Sequence, residues 1–446
     1  MKTKYKSDSL YWIWMTEILG AGGRYTARLA EAFGTAFDIY NATEEELVRS
    51  GCVTDEIAHK LADKSLKKAH HIIDYCSLNN IGILSYSSEY YPSSLKTLQN
   101  PPGVLYYKGD LLNFDEKLCI GMVGTRKMSE YGKKAAYKIA YELASAGAIV
   151  VSGMALGIDA VASCGALVAE GKTVAVLGCG IDVAYPSQHA KLKRIIEDRG
   201  LIISEFAPGT RPYGSNFPIR NRLISGLSQG TLIVEADENS GAMITAKCAL
   251  MQGRGVFAVP GNIDESNSVG TNKLIKDGAT PVVTADDILS NYEALYGKYL
   301  NYSALSFARS IYNYDLSDEA FEKMGISMRV SEKHITPKES SSQLRPTRRP
   351  QMREDEVLAT TNKSNAHSKP PIVNTPRRVS DGSEAILAEL DESIKKIFND
   401  FPIDRAVTID SLLALGHSAN EIMSAVTILE IKGLISSLPG NLYVRR

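Results

Sequence analysis

The residues best suited to chemistry lie at 124–129 and 206–224. Gly124, Thr125 and Arg126 leave a short apolar run at 119–123, and Ser129 stands where a helix N-cap is expected. A strand, a small-residue turn and a helix N-terminus aim backbone N–H groups at one spot and favour an anion there. Arg126 and Lys127 add fixed positive charge at its mouth. The stretch FAPGTRPYGSNFPIRNRLI sets Arg211, Arg220 and Arg222 beside Tyr213 and Phe217. A guanidinium neutralises phosphate, and a ring stacks on an unpaired base of any identity for about 1–3 kcal/mol. These residue types together fit a single nucleic-acid strand. They also admit a structural reading, with Phe217 in the core, Arg222 paired with Glu235, and Arg126 paired with an acid such as Asp159.

Other loops add candidates of the same kind. Ser152 and Gly153, and Ser240 and Gly241, each follow an apolar run and open onto a helical stretch. Lys247 lies more than a turn inside a predicted helix at 242–251 and Arg254 just beyond it, and Lys247 can equally be solvated. Asp159 reads either as a ligand group or as an acid stabilised by a helix N-terminus.

Signals for an enzyme are weak. Gly178 and Gly180 lack the third glycine of a dinucleotide fingerprint, Val183 is bulky, and no ribose-binding acid follows about 20 residues on. Neither a Walker A sequence nor a G-x-S-x-G elbow is present. No histidine lies in the Gly-rich loops, so the usual general base is missing. One enzymatic alternative remains: GLSQGTLIVEADENSGAMIT resembles the lysine-decarboxylase-like phosphoribohydrolases, where Glu235 with Arg126 would activate water at a ribose. No cofactor or metal is expected, and the six scattered cysteines read as free thiols.

The elements that must position these residues follow from periodicity. Apolar runs at 119–123, 148–151, 173–177, 201–204, 231–235 and 256–259 show no alternation, as in strands buried on both faces of a parallel sheet. Helical stretches separate them, so the core at 79–296 is α/β, and its loops converge at the strands' carboxyl ends. Residues 81–86 and 104–108 are expected as edge strands. The N-terminal 1–78 is helical, with Gly20, Gly22 and Gly23 in a hairpin similar to a helix-hairpin-helix unit. That hairpin can offer amides to a phosphate or simply permit a tight turn.

Residues 297–380 read as a disordered linker. Six of the 17 prolines fall between 337 and 376, and residues 331–380 carry ten Lys/Arg against five Asp/Glu. Residues 381–446 suggest three helices and a hairpin resembling a winged helix. Their ten acids and six bases favour a protein contact over DNA reading.

Bulk properties set the frame. A chain of 446 residues allows two to three domains, and 44% apolar with 23% charged residues is ordinary for a globular protein. The net charge of −1 supplies no global pull toward nucleic acid, so any basic patch must be local. No signal sequence or bilayer-spanning run is evident, which predicts a cytoplasmic location without membrane contact.

An ordered series of segments identifies a family. VGTRKMSEYG, SGMALGIDAVA, VLGCGIDVAYP, SEFAPGTRPYGSNFPIRNRLISGLS, LIVEADENSGAMITAKCAL, VFAVPGNI and SVGTNKLIKDGA follow in order, and the whole run from Gly121 to Ala279 resembles the DNA-processing protein A (DprA/Smf) family. Thr125, where that family often carries Ser, leaves the turn chemistry unchanged. The resemblance implies an extended Rossmann-like core between an N-terminal helical (SAM-like) domain and a C-terminal winged-helix-like domain. It implies non-catalytic binding and protection of single-stranded DNA in natural transformation, loading of the RecA recombinase, and a homodimer. Carried over by position, it implicates Arg126, Lys127, Phe217, Arg220, Asn221, Arg222 and Lys247 in DNA binding. The loop reading adds Gly124, Ser152, Gly153 and Ser240.

Overall fold

The computed structural model describes residues 8–311, 318–326, 392–402 and 407–408. Between 412 and 445 it describes residues 412, 415, 417, 421–422, 425–426, 428–429, 434–438 and 442–445. These residues form two compact units, one within Met1–Lys338 and one within Glu339–Arg446.

The first unit is built on one nine-stranded sheet. Its strands are β1 (Gly82–Ser85), β2 (Val104–Gly109), β3 (Cys119–Val123), β4 (Ile149–Ser152), β5 (Thr173–Leu177), β6 (Leu201–Ser204), β7 (Gly230–Ile233), β8 (Gly255–Ala258) and β9 (Thr280–Pro281). They lie in the order β1-β2-β6-β5-β4-β3-β7-β8-β9. Pairing is parallel from β6 to β9, and β2 runs antiparallel to both β6 and β1. All eight expected strands form.

Every residue of β3 to β7 is buried, because helices cover both faces. Ile120 and Met122 pack into a core that also holds Ile139, Leu143 and Val161. These last come from α8 (Glu130–Ser145) and α9 (Ile158–Val168). Cys119 and Val123 point the other way, into a core with Leu223 and Ala246. Those belong to α11 (Asn216–Gly226) and α12 (Gly241–Met251). The chain builds outward from β3 through β4 to one side and, from β7, to the other. The order therefore reverses between β3 and β7, and a crevice opens at their carboxyl ends.

Six helices form the N-terminal region, from α1 (Asp8–Leu19) to α6 (Lys67–Leu78). Trp12, Ile13, Trp14 and Met15 of α1 are buried, and Trp14 Nε1 donates to the Asp63 carbonyl at 2.8 Å. A capping box starts helix Glu44–Arg49: Thr43 and Glu46 cap each other across its first turn. The Gly hairpin packs onto the sheet domain. Gly22 N–H donates to Glu205 Oε1 at 3.0 Å, so that amide is committed inside the fold.

The described residues 297–311 and 318–326, expected within the linker, are instead folded. Helices Tyr302–Ile311 and Asp318–Lys323 lie in that stretch, and Leu305, Phe321 and Ile326 are buried with the residues of α8. Arg309 bonds Glu142 at 2.9 Å and Asp286 at 2.8 Å. The proline-rich composition behind the linker expectation starts only at Pro337, and residues 327–391 lie outside the described residues.

In the second unit, helix Glu392–Asn399 packs Ile394, Ile397 and Phe398 against Leu412, Ile422, Val426 and Leu429. Strands β10 (Val407–Thr408), β11 (Ile435–Leu438) and β12 (Leu442–Arg445) form a sheet in the order β10-β12-β11. β11 and β12 are the expected hairpin. The second of the three helices expected there starts at Thr408 by its sequence pattern, but Thr408 instead pairs with Leu442 in the sheet. Among the described residues, no helix is long and apolar enough to cross a membrane.

Candidate nucleic-acid interface

The crevice at the switch point has a volume of about 530 Å³. Gly124 to Arg126 line it from the loop after β3. Phe217, Pro218, Arg220 and Asn221 line it from α11, and Ser240 to Ala242 from the start of α12. The loops are tied across the switch point, since Thr125 N–H donates to the Glu235 carbonyl at 2.7 Å. Ser129 is the N-cap of α8 as expected, accepting from Gly132 N–H at 3.0 Å.

Phe217 is half-buried, and two cations flank its ring. The guanidinium carbon of Arg126 lies 5.5 Å from the ring centroid, and that of Arg220 lies 5.8 Å. Tyr185 meets the same ring at 5.3 Å between centroids. The ring seats on Gly178, where an added Cβ would stand 2.9 Å from Phe217 Cδ1. Gly178 therefore serves the ring rather than a dinucleotide.

Arg126 is exposed, but Arg220 is only 3% exposed. Arg220 Nη1 donates to the carbonyls of Gly153, at 2.8 Å, and Val176, and its Nε donates to Asn221 Oδ1 at 3.1 Å. Burial lowers its pKa, Asp159 raises it, and Arg126 lowers it further. Burial pushes the Asp159 carboxyl above its usual range, while Arg220 and the N–H groups of Ala155, Gly124 and Gly153 pull it down. At α12, Ser240 Oγ is buried without a hydrogen-bond partner, and Asn221 Nδ2 donates to the Gly241 carbonyl at 3.2 Å.

The crevice thus gathers Gly124, Arg126, Phe217, Arg220, Asn221 and Ser240 of the expected set. Gly153 lies in an adjoining slot with Gly178 and Tyr185. Ser152 is fully buried, with its hydroxyl donating to the Met122 carbonyl at 2.6 Å. Lys127 and Lys247 are exposed but do not line the crevice.

Arg222 is the clear departure. Its Nη2 donates to both oxygens of Glu205, at 2.6 and 2.7 Å, and not to Glu235. Residues two apart on a helix point to different faces, so Arg220 and Arg222 cannot share one crevice. Tyr185, which sequence reasoning missed, comes from the loop after β5. Its signal was an aromatic before Pro186 in the same loop as the Gly178–Gly180 turn.

Glu235 sits elsewhere too. Its carboxylate accepts from Ser129 N–H at 2.9 Å and from the Ser129 hydroxyl. It lines a second opening with Tyr131, Pro260 and Glu265, apart from Arg126.

A doubly wound sheet with two guanidiniums, a ring and an uncommitted Ser240 hydroxyl at its switch point defines a Rossmann-like protein able to hold an anionic ligand. The chain belongs to the DprA/Smf family of DNA-processing proteins. The profile of the family described as DNA recombination-mediator protein A matches residues 82–293. Protein Smf of Synechocystis is 30% identical over 448 residues, covering 99% of both chains. DNA processing protein DprA of Bacillus subtilis is 40% identical over 208 residues, 47% of this chain and 70% of the relative. The X-ray structure of DNA processing protein A from Streptococcus pneumoniae is 32% identical and covers 65% of this chain and 98% of its own. Its TM-score is 0.56.

Proposed function

We propose that the switch-point crevice binds single-stranded DNA without sequence preference and without catalysis. The observation that carries this reading is the ring of Phe217 in the crevice with the exposed Arg126 guanidinium 5.5 Å from its centre. The exposed Arg126 charge beside the ring favours an anion there, Arg220 holds the ring's surroundings from below, and an aromatic face suits an unpaired base. Arg126 and Lys127 contribute charge to the strand's path, Ser240 and the first amides of α12 accept a phosphate, and Phe217 stacks. Lys247 extends the path along α12.

Family membership extends the reading. The protein shelters incoming single strands in the cytoplasm during natural transformation, acts as a homodimer and helps load the RecA recombinase. The acidic second unit, winged-helix-like in its hairpin, is a protein-contact module. The alternative of a phosphoribohydrolase needs Glu235 beside Arg126, and the carboxylate's commitment to Ser129 argues against it.

Competition between single- and double-stranded oligonucleotides tests the binding claim, with preference for the single strand expected. RecA assembly on strands coated with single-strand binding protein tests the loading claim, and acceleration by this protein is expected. Equal affinity for both DNA forms, or turnover of a nucleoside monophosphate lost on Glu235→Gln, would refute the reading.

A further inference from the structure

We propose that Arg220 and Asp159 are positioning residues. They hold the crevice loops in shape, and Arg220 makes no phosphate contact of its own. This inference rests on the crevice being the single-strand site.

Arg220 projects from α11 into the space beneath the crevice. Its guanidinium ties together the carbonyls that end two neighbouring strands, Gly153 after β4 and Val176 in β5. Its Nε bonds Asn221, which in turn bonds the Gly241 carbonyl at the start of α12. One side chain thus links three of the elements around the opening. Reaching outward to a phosphate would strip two carbonyls of their donor in a place where water does not replace it.

Asp159 completes the arrangement. It is 5% exposed, in the first turn of α9, and Gly153 N–H donates to its Oδ2 at 3.2 Å. The N–H groups of Ala155 and Gly124 also pull its pKa down, so they face the same carboxylate. Those amides belong to the two turns that the sequence suggests for phosphate binding. An internal carboxylate already fills that anion position, so a DNA phosphate must sit further out, beside Arg126 and Ser240. Only glycine fits at 153 between the two side chains: an added Cβ would lie 2.6 Å from Arg220 Nη2 and 2.6 Å from Asp159 Oδ2. Charge points the same way. Among the crevice residues the charged groups are Arg126, Arg220 and Asp159. With Asp159 offsetting Arg220, Arg126 is left as the net cation facing the ligand.

The test is the salt dependence of binding to a fluorescent oligothymidylate, measured for the full chain and its variants. Each phosphate neutralised on a single strand contributes about 0.7 to the slope of log K against log salt. Arg126→Ala should lower that slope by about 0.7. Arg220→Gln and Arg220→Lys should both weaken binding roughly tenfold, the effect of losing a hydrogen bond to a charged group, with the slope unchanged. Lysine keeps the charge but cannot span both carbonyls. Asp159→Asn should also weaken binding, although it removes a negative charge. A slope lowered by Arg220→Gln with Arg220→Lys near wild type, or tighter binding by Asp159→Asn, would overturn the proposal. If Arg220→Gln does not fold, the lysine and asparagine variants decide alone. A wild-type chain with no salt-dependent binding would instead sink the crevice reading, and this proposal with it.

Discussion

Arg126 holds its guanidinium carbon 5.5 Å from the centre of the Phe217 ring, although one residue comes from the loop after β3 and the other from the start of α11. The ring and the charge therefore act at one point of the crevice. Phe217→Ala should weaken single-strand binding by about 1–3 kcal/mol, because a stacking platform is lost. The loss should be similar for oligo-dT, oligo-dA and oligo-dC, and Phe217→Trp should restore most of it. Titration of the three oligonucleotides checks both points, and a loss confined to one base would imply base reading instead.

Arg222 and Glu205 make a separate prediction. Glu205 is buried, and its carboxylate accepts both Arg222 Nη2 and Gly22 N–H, so it joins α11 to the N-terminal hairpin. Arg222→Ala leaves that carboxylate unpaired and should destabilise the fold by about 3 kcal/mol. Urea unfolding measures this. The folded fraction should bind single-stranded DNA with wild-type salt dependence.

How much of this was legible in the sequence differs by element. The strands could be read because residues such as Ile120 and Cys119 face opposite cores, and a doubly covered strand leaves an unbroken apolar run. The site was legible as residue types in loops at strand ends, which gave Arg126 and Phe217. It was not legible which arginine of α11 turns inward. Helical geometry separates Arg220 from Arg222, but their partners come from other strands: Gly153 and Val176 for the first, Glu205 for the second. Long-range pairings of this kind leave no local pattern. Residues 302–311 and 318–326 read as linker because Leu305 and Phe321 are sparse anchors in a polar stretch, and average composition hides single buried side chains.

Phe321 anchors that stretch. It is 1% exposed, meets Tyr137 of α8 at 5.8 Å between centroids, and lies under Lys133 Nζ at 5.0 Å. Phe321→Ala should cost about 3–5 kcal/mol. Thermal melts would report it, and near-wild-type stability would show that the segment packs only loosely.

His189 carries a pH signature. It is buried, its Nδ1 meets the Met154 carbonyl at 3.1 Å, and its Nε2 has no partner. Burial lowers its pKa from the ordinary 6.5, partly offset by the bond to Met154. The unfolded chain therefore binds the proton first as pH falls, so this contribution to stability is complete above pH 6.5 and is lost below it. Denaturation midpoints across that range should fall with pH in the wild type and less steeply in His189→Gln.

The most direct test of the central claim is the affinity of wild type and Arg126→Ala for one oligothymidylate across a series of salt concentrations. The account predicts steep salt dependence for the wild type, and for the variant weaker binding with a slope shallower by about 0.7. Identical affinity and slope for the two folded proteins would contradict it.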